Sequence, residues 1–259
     1  MQFCCCASFE DLPLVTSAGY DRIALSGTFL AACGEDTFAQ ICAAAADGSL
    51  VCRSLNAFCP ADVKLVGEGY APRRLGRYSR TLAARASRIG VEAIGIGSPN
   101  SRKLPSEFNR GCAMRQWQAS LRIICEEFGS CGISVLAEPL CTLECNWMNT
   151  TDEVREVVEQ LALPNLGMVF DMYHAFVMGE DDIPLRRAMP YVGEVHIAQF
   201  IHGEKHYLHP DHSADCAPYF AALRDLCYDG EIAVEAVHGS LPSALPRSLK
   251  LLRAWASGD

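Results

Sequence analysis

Short apolar segments recur along the chain at roughly even intervals, and longer segments with a helical pattern separate them. Short apolar runs bounded by polar residues are typical of buried β-strands, and apolar residues every three or four positions predict helices. The predicted strands are Gln2–Ala7, Arg22–Ser26, Leu50–Leu55, Ala93–Ile96, Ser134–Ala137, Met168–Phe170, Glu194–Ala198 and Glu231–Val234. The clearest predicted helices are Arg74–Ile89, Met114–Phe128, Thr151–Leu161, Ala217–Cys227 and Leu245–Trp255, the third with Thr151 as its N-cap.

Strand and helix alternate throughout, with no run of consecutive strands, and this order predicts a parallel sheet. Eight repeats within 259 residues match the count and size of a single-domain (β/α)8 TIM barrel covering residues 1–259. A doubly wound open sheet is the alternative, but it needs a glycine-rich phosphate-binding turn after an early strand. The first two strand ends, CCCASFED and ALSGTFLAACGED, contain no G-x-G-x-x-G. The barrel is therefore favoured.

The charge balance narrows the range of partners. Thirty-one acidic residues against twenty-two basic ones give a formal charge of −9, and no run of five Lys or Arg occurs. Binding a nucleic-acid backbone needs a concentrated positive surface, so we expect no nucleic-acid partner. No apolar run is long enough to span a bilayer, and the N-terminal segment lacks the pattern of a secretory signal. We therefore expect a small-molecule partner and no membrane partner.

Cysteine is abundant, with fourteen residues, three of them adjacent at Cys4, Cys5 and Cys6. Adjacent cysteines within a strand make a poor disulfide framework. The chain has no C-x-x-C motif, and Cys141 and Cys145 lack a second pair at the spacing of a zinc site. We expect reduced thiols that behave as small apolar residues in a cytoplasmic protein.

Side chains that commonly bind metals occur at four successive predicted strand ends. The fifth strand ends ISVLAEPL with Glu138, and the sixth ends GMVFD with Asp171. The seventh, GEVHIAQF, carries His196, and the eighth ends EIAVEAVH with Glu235. The carboxyl ends of barrel strands converge on one face, so we expect these four side chains to lie close together.

Each of these residues has a simpler interpretation when taken alone. A single acid at a strand end usually caps the following helix or faces solvent, and a single histidine is usually a hydrogen-bonded core residue. Four in succession favour a shared site, where three carboxylates would repel one another unless a cation compensated them. The oxygen-rich set favours one divalent ion, with Mn²⁺ preferred, Mg²⁺ or Co²⁺ as alternatives, and Zn²⁺ less suited.

Three further motifs surround these positions. EPLCTLECNWMNT places Glu144 six residues after Glu138, DMYH places His174 three residues after Asp171, and GIGSPNSRKLP contains Arg102. Together with the four strand ends, these motifs resemble the xylose isomerase-like TIM barrels. That sugar phosphate isomerase/epimerase group includes ketose 3-epimerases, hydroxypyruvate isomerase and inosose dehydratase. The resemblance covers nearly the whole chain and is strongest from Ile133 onward.

The resemblance implies a role for each residue. Glu138, Asp171, His196 and Glu235 would be the ligands of a single metal ion, and Glu138 and Glu235 would also transfer protons. Glu144 and His174 would orient substrate hydroxyls. Arg102 has two interpretations, either a solvated loop residue or a ligand for a terminal phosphate or carboxylate of the substrate. A homodimer or homotetramer is expected.

The segment QFIHGEKHYLHPDH departs from the family pattern. Family members usually have an Arg six residues after the histidine ligand, where this chain has His202, so His202 is predicted to bind substrate instead, with Lys205 or His206 as residues that could take over the role. The histidines from His202 to His212 offer a second alternative, a multinuclear site of the nuclease branch, but the first three strands end without histidine. Ala24 replaces the usual Glu of the second strand and predicts a less polar pocket floor.

The favoured function is that of a metal-dependent isomerase or epimerase that moves a proton through a cis-enediolate of a keto-sugar or related polyol. A metal-dependent lyase is the first alternative, either an inosose-type dehydratase or an enzyme that cleaves keto-glycosides, because elimination begins with the same proton abstraction. A metal-dependent nuclease and a non-catalytic sugar-binding barrel are weaker alternatives. The acidic charge argues against the first, and the two flanking glutamates argue against the second.

Overall fold

A computed structural model describes residues 1–258, and its eight parallel strands close into a barrel in the order β1-β10-β7-β6-β5-β4-β3-β2. The predicted (β/α)8 barrel is therefore confirmed. The barrel strands are β1 (Gln2–Cys6), β2 (Arg22–Ser26), β3 (Ser54–Asn56), β4 (Ala93–Ile96), β5 (Ser134–Ala137), β6 (Leu166–Asp171), β7 (Val192–Ile197) and β10 (Glu231–Val234). A two-stranded antiparallel hairpin, β8 (Gln199–Ile201) and β9 (Glu204–His206), follows β7.

Helices connect the strands around the outside of the barrel and bury their apolar faces against it. They are α1 (Leu12–Ser17), α2 (Gly27–Ala32), α3 (Glu35–Ala46), α4 (Pro72–Arg88), α5 (Pro99–Arg102), α6 (Arg110–Gly129), α7 (Thr151–Leu161), α8 (Met172–Val177), α9 (Asp182–Ala188), α10 (Ala217–Asp225) and α11 (Leu241–Ser257). Three short 3₁₀ turns complete the order, at Phe9–Asp11, Met189–Tyr191 and Pro210–Asp215.

Three local predictions were wrong. The strand predicted at Leu50–Leu55 pairs with its neighbours at Ser54–Asn56 instead, because the apolar residues before it are buried in the connection that leads to the sheet. The expectation of no consecutive strands missed the β8–β9 hairpin. The N-cap of α7 is Thr150, not Thr151, and it forms a reciprocal capping box with Glu153.

The barrel interior explains the run of three cysteines. Side chains alternate along a strand, so Cys4 and Cys6 point into the barrel, where they pack with Ala24 and Ala233, while Cys5 joins the core formed with the helices. Small side chains on these strands leave room inside the barrel above them. Ala24 belongs to this apolar floor.

All fourteen cysteines are free thiols, and most of them are buried. Over residues 1–258, no helix combines the length and the apolar character needed to cross a lipid bilayer.

Candidate metal centre

The four strand-end residues come together as the sequence predicts. Glu138 directly follows β5, Asp171 ends β6, His196 lies in β7 and Glu235 directly follows β10. Each offers one ligand atom, and these atoms all lie within 4.8 Å of one another. Glu138, Asp171 and His196 are buried, while the side chain of Glu235 is 23% exposed and faces the mouth of the barrel.

Glu138 and His196 form the buried half of this cluster. Nδ1 of His196 lies 3.2 Å from Oε1 of Glu138, and its Nε2 lies 3.4 Å from Oε1 of Glu194 on the opposite side. Gly97, just after β4, makes room for the other oxygen of Glu138, because a Cβ at this position would clash with Oε2. The position of the Glu138 carboxylate, which follows β5, therefore depends on a glycine that follows the neighbouring strand β4.

Asp171 serves two purposes with its two oxygens. Oδ1 accepts hydrogen bonds from the backbone N–H groups of Tyr173 (2.7 Å) and His174 (3.1 Å), which caps the start of α8. Oδ2 is left facing the cluster. The capping and ligand interpretations of this strand end are therefore compatible.

Glu235 is held by two residues from distant parts of the chain. Asn56, the last residue of β3, donates from Nδ2 to Oε1 at 2.9 Å, and Lys205 donates from Nζ to Oε2 at 2.5 Å. Lys205 also donates to Oδ2 of Asp171 at 3.1 Å. No motif singles out Asn56 in the sequence. Its place directly after the predicted third strand, Leu50–Leu55, was the available signal.

Lys205 reaches the cluster because the hairpin folds back over the mouth of the barrel. The two-residue turn between β8 and β9 consists of His202 and Gly203, both with positive φ (52° and 87°). This turn leaves His202 exposed at the tip of the hairpin, while the Lys205 side chain, only 10% exposed, points inward. The structure thus brings Lys205 to the cluster and does not bring His202 there.

Burial and charge shift the acidities in this cluster in opposite directions. Burial raises the pKa of Glu138, and hydrogen bonding to His196 offsets part of that rise. Burial also acts on Asp171 and Glu235, but the Lys205 ammonium outweighs it, so the pKa of Asp171 falls well below its usual range and that of Glu235 falls to about 2. Burial lowers the pKa of His196, but the neighbouring carboxylates outweigh it and raise that pKa well above its ordinary value.

A divalent ion fits the donor set of this cluster. Three carboxylates and one imidazole meet at close range, and among residues 1–258 Lys205 is the one Lys or Arg side chain that forms an ion pair with any of them. Even with His196 protonated, the Lys205 ammonium leaves the three carboxylates incompletely neutralised, whereas a divalent cation bound by oxygen and nitrogen ligands would complete the balance. The set contains no thiolate, so hard ions suit it better than a thiolate-type zinc site.

His174 and Glu144 lie beside the cluster. His174 is buried, and its Nδ1 accepts a hydrogen bond from the backbone N–H of Cys141 at 3.1 Å. Burial lowers the pKa of His174 to about 4, so at neutral pH it is uncharged with its hydrogen on Nε2, 3.7 Å from Oδ2 of Asp171. Cys141, Glu144 and His174 also have ligand-type atoms within 4.8 Å of one another, but Nδ1 of the histidine is already engaged.

Arg102 is neither a solvated loop residue nor a lining residue of the cavities beside the cluster. It is fully buried, donates from Nη2 to the backbone oxygen of Glu138 at 2.6 Å and lies over the ring of Trp117. The interpretation of Arg102 as a solvated loop residue was therefore wrong, because its side chain is completely buried. Its hydrogen bond to the backbone oxygen of Glu138 ties α5 to the end of β5, next to the candidate ligand cluster.

The histidines of the segment 202–212 form local contacts. His206 stacks on His238, while His209 and His212 lie near Asp211 and Asp215 respectively. Neither group of potential ligands found in the described part of the chain includes any histidine of this segment. The geometry gives no support to a multinuclear site built from these histidines.

Two cavities open from the cluster toward the other half of the barrel. One of about 250 Å³ extends over the ends of β3 and β4, and one of about 460 Å³ extends over the ends of β1 and β2. Glu144, Lys205 and Glu235 line both of them. A ligand held at these three residues can therefore extend in two directions.

Comparison with known proteins places the chain in a family. The family model described as xylose isomerase-like TIM barrel matches residues 12–255, so the chain belongs to that family. In sequence it is similar to a ketose 3-epimerase from Arthrobacter globiformis, 29% identical over 147 residues that make up 55% of this chain and 49% of the relative. The chain thus spans about half the length of the relatives that it matches in sequence.

Two solved structures show the same fold. One is the 3-keto-D-glucoside 4-epimerase from E. coli, with a TM-score of 0.80 and 18% identity over 98% of this chain and 99% of that one. The other is a probable 3-DHS dehydratase from Bacillus anthracis, with a TM-score of 0.74 and 18% identity over the same shares of the two chains. At such identities the likeness concerns the fold alone.

Proposed function

We propose that this chain is a divalent-metal-dependent isomerase or epimerase that moves a proton through a cis-enediolate of a keto-sugar or related polyol. The supporting observation is the placement of two carboxylates, Glu138 and Glu235, on strands separated by β6 and β7 and on either side of Asp171 and His196. A substrate bound between them meets one carboxylate on each side. That is the arrangement required to remove a proton at one position and return it at another.

Glu138, Asp171, His196 and Glu235 would hold the ion, and Mn²⁺ suits the set best, ahead of Mg²⁺ and Co²⁺, with Zn²⁺ less suited. When bound, the ion would polarise a substrate carbonyl and so increase the acidity of the C–H bond beside it. The residues themselves would supply the proton transfers and the orientation of the substrate.

The two glutamates lie in different environments. The Lys205 ammonium lowers the pKa of Glu235 to about 2, so this carboxylate is ionised at neutral pH, whereas burial raises the pKa of Glu138. Transfer of a proton from carbon to Glu235, followed by return from Glu138 to a neighbouring carbon or the opposite face, completes an isomerisation or epimerisation. Glu144, His174 and Lys205 would orient the hydroxyl groups.

The cavities give a reason to consider substrates larger than a single sugar. The cavity over β1 and β2 adjoins Glu235 and is the larger of the two, so a group attached to the reacting ring can occupy it. A metal-dependent lyase that removes such a group from a keto-glycoside, or water from an inosose, is therefore the second candidate. It would use the same first proton transfer, with loss of the leaving group in place of proton return.

We also propose a cytoplasmic homodimer or homotetramer. The support for the compartment is the set of fourteen free thiols, most of them buried and none paired within residues 1–258. Light scattering of the purified protein would measure the assembly, and a monomeric mass at micromolar concentration would contradict this proposal.

The test of function begins with metal analysis. Protein purified without chelators is expected to contain about one equivalent of a divalent ion, and His196→Ala is expected to lose it. The Mn²⁺-loaded protein is then supplied with ketoses, inososes and 3-keto-glycosides in D₂O. Rearranged sugars with deuterium beside the carbonyl support the isomerase or epimerase, and eliminated products support the lyase. Absence of turnover on all three classes with the metal bound would contradict both.

A further inference from the structure

The ammonium of Lys205 contacts the same carboxylate oxygens that face the proposed metal position. Its Nζ lies 3.1 Å from Oδ2 of Asp171 and 2.5 Å from Oε2 of Glu235, and the side chain is only 10% exposed. The other oxygen of each carboxylate is occupied elsewhere, by the backbone N–H groups at the start of α8 and by Asn56. The lysine and a divalent ion therefore need the same two oxygen atoms.

The backbone around Lys205 is fixed against the rim of the barrel. Its carbonyl oxygen accepts hydrogen bonds from the N–H groups of Val237 (3.1 Å) and His238 (3.2 Å), in the loop that follows Glu235. The opposite edge of β9 pairs with β8. Because Lys205 is tied to the same loop as Glu235, the hairpin cannot carry the ammonium away without breaking these bonds. A bound ion would displace the side chain only locally, and the positive charge would remain beside it.

We infer that Lys205 is a resident counter-ion that competes with the divalent ion for Asp171 and Glu235 and thereby lowers the metal affinity of the site. This inference rests on the proposed metal centre. In the absence of metal, the ammonium relieves repulsion among three clustered carboxylates. In the presence of metal, it is a like charge a few ångströms from the ion in a site shielded from solvent. The same side chain therefore stabilises the metal-free protein and opposes metal binding.

Neutralising Lys205 has two expected effects of opposite sign. Lys205→Met is expected to lower the melting temperature of the metal-free protein, because the carboxylates lose their cation. It is also expected to tighten Mn²⁺ binding by about 10- to 100-fold, because the repulsion disappears. The rise in melting temperature on adding Mn²⁺ should consequently be larger for Lys205→Met than for the unmodified protein.

The experiment measures Mn²⁺ dissociation constants by calorimetry and melting temperatures with and without Mn²⁺. Lys205→Arg keeps the charge and is expected to stay within about threefold of the unmodified affinity. Lys250→Met removes an exposed lysine of α11 and is the matched control, expected to change neither quantity. If Lys205→Met does not fold even with Mn²⁺, Lys205→Gln provides the neutral variant.

The outcomes separate this inference from the proposed function. The inference is supported if the neutral variant binds Mn²⁺ more tightly while Lys205→Arg and Lys250→Met keep the affinity of the unmodified protein. An unchanged or weakened affinity in the neutral variant, with the unmodified protein still binding one Mn²⁺, overturns the inference and leaves the metal-dependent function standing. If Mn²⁺ binds neither the unmodified protein nor any variant, the metal centre itself is contradicted and the inference with it.

Discussion

Each acidic ligand divides its two oxygens between the protein and the proposed ion. Asp171 gives one oxygen to the start of α8, and Glu235 gives one to Asn56, so each carboxylate is already oriented before any ion or substrate arrives. A group fixed in this way loses little freedom on binding, which is the basis of preorganised catalysis. Changes that preserve the hydrogen bond but remove the charge are therefore informative.

Replacing Glu235 by Gln separates chemistry from structure. The Gln side chain keeps one carbonyl oxygen that can still coordinate the ion, though more weakly, but it cannot accept the substrate proton. At saturating Mn²⁺, kcat is expected to fall by about 10²- to 10⁴-fold while substrate still binds. Steady-state kinetics and substrate titration of Glu235→Gln and Glu138→Gln measure this. Recovery of full activity in both variants with excess Mn²⁺ would reduce the two residues to ligands.

Gly97 allows a test of the metal site in which none of the four proposed ligand residues is itself substituted. A Cβ at this position would clash with Oε2 of Glu138, whereas a Cβ at Gly95, two residues earlier, would make only ordinary contacts. Gly97→Ala is therefore expected to displace the Glu138 carboxylate and weaken Mn²⁺ binding by about 10- to 100-fold. Gly95→Ala, the matched control, is expected to keep the affinity. Equal affinities in the two variants would show that Glu138 adapts without loss.

At the residue scale, the sequence predicted that the four candidate ligands lie close together, but it did not reveal the residues that hold them in place. Glu138, Asp171, His196 and Glu235 stand at the ends of apolar strands, and their position alone marks them. The sequence around Asn56, Gly97 and Lys205 contains no motif that would identify the first two residues as part of the site or show that the Lys205 side chain points inward. Asn56 lies 179 positions from Glu235, and Lys205 lies 34 and 30 positions from Asp171 and Glu235. These residues meet only because the barrel closes.

Among the elements, the hairpin has the most direct effect on the site, because its second strand carries Lys205. Its turn uses positive φ at both His202 and Gly203, and Asn-Gly is the pair that favours this conformation most. His202→Asn is therefore expected to leave kcat/KM unchanged and to hold or slightly raise the melting temperature. Thermal melts and steady-state kinetics provide the measurement.

Gly203→Ala is the contrasting variant, expected to cost about 1 kcal/mol because its φ of 87° is strained for residues with a Cβ. A loss of activity in His202→Asn without loss of stability would support the predicted role of His202 in binding substrate. The exposed position of this side chain argues against that result.

The elements themselves were predictable where their pattern was strong. α7 has the predicted bounds of Thr151–Leu161, and β2, β4, β5 and β10 also match. The three-residue strands β8 and β9 escaped prediction because QFI and EKH carry no alternation long enough to register, and their pairing depends on packing over the barrel mouth. β3 was misplaced because the apolar run before it is buried without joining the sheet.

For the molecule as a whole, the buried thiols make the free energy of unfolding decrease as the pH rises into the alkaline range. Burial raises the pKa of Cys5, Cys52, Cys125 and Cys216 to about 12 each, from an ordinary value near 9. The folded protein therefore keeps these protons when the unfolded chain has released them. The stabilising contribution is complete below pH 9 and is lost as pH rises from 9 to 12, by about 1.4 kcal/mol per thiol and pH unit.

Urea unfolding under reducing conditions at pH 7, 9 and 10 is expected to show a steep fall in the free energy of unfolding between the last two values. Cys125→Ala removes one such group, so between pH 9 and 10 its free energy of unfolding should fall by about 1.4 kcal/mol less than that of the unmodified protein. The pKa of Cys125 is raised by burial alone, which makes it the simplest site for this comparison. Equal slopes in the two proteins would show that the thiol ionises without unfolding.

The four proposed ligands occupy consecutive positions around the wall, at the ends of β5, β6, β7 and β10, and both cavities extend from there over the ends of β1 to β4. The proposed reaction chemistry thus lies in the second half of the chain, while the first half supplies part of each cavity wall as well as Asn56 and Gly97, which contact or make room for the two glutamates. Variation in the first half can alter which molecule is accommodated while the second half keeps the reaction. Chimeras joined within α6, with the second half of this chain and the first half of a relative, would inherit selectivity from the relative and the proton-transfer step from this protein.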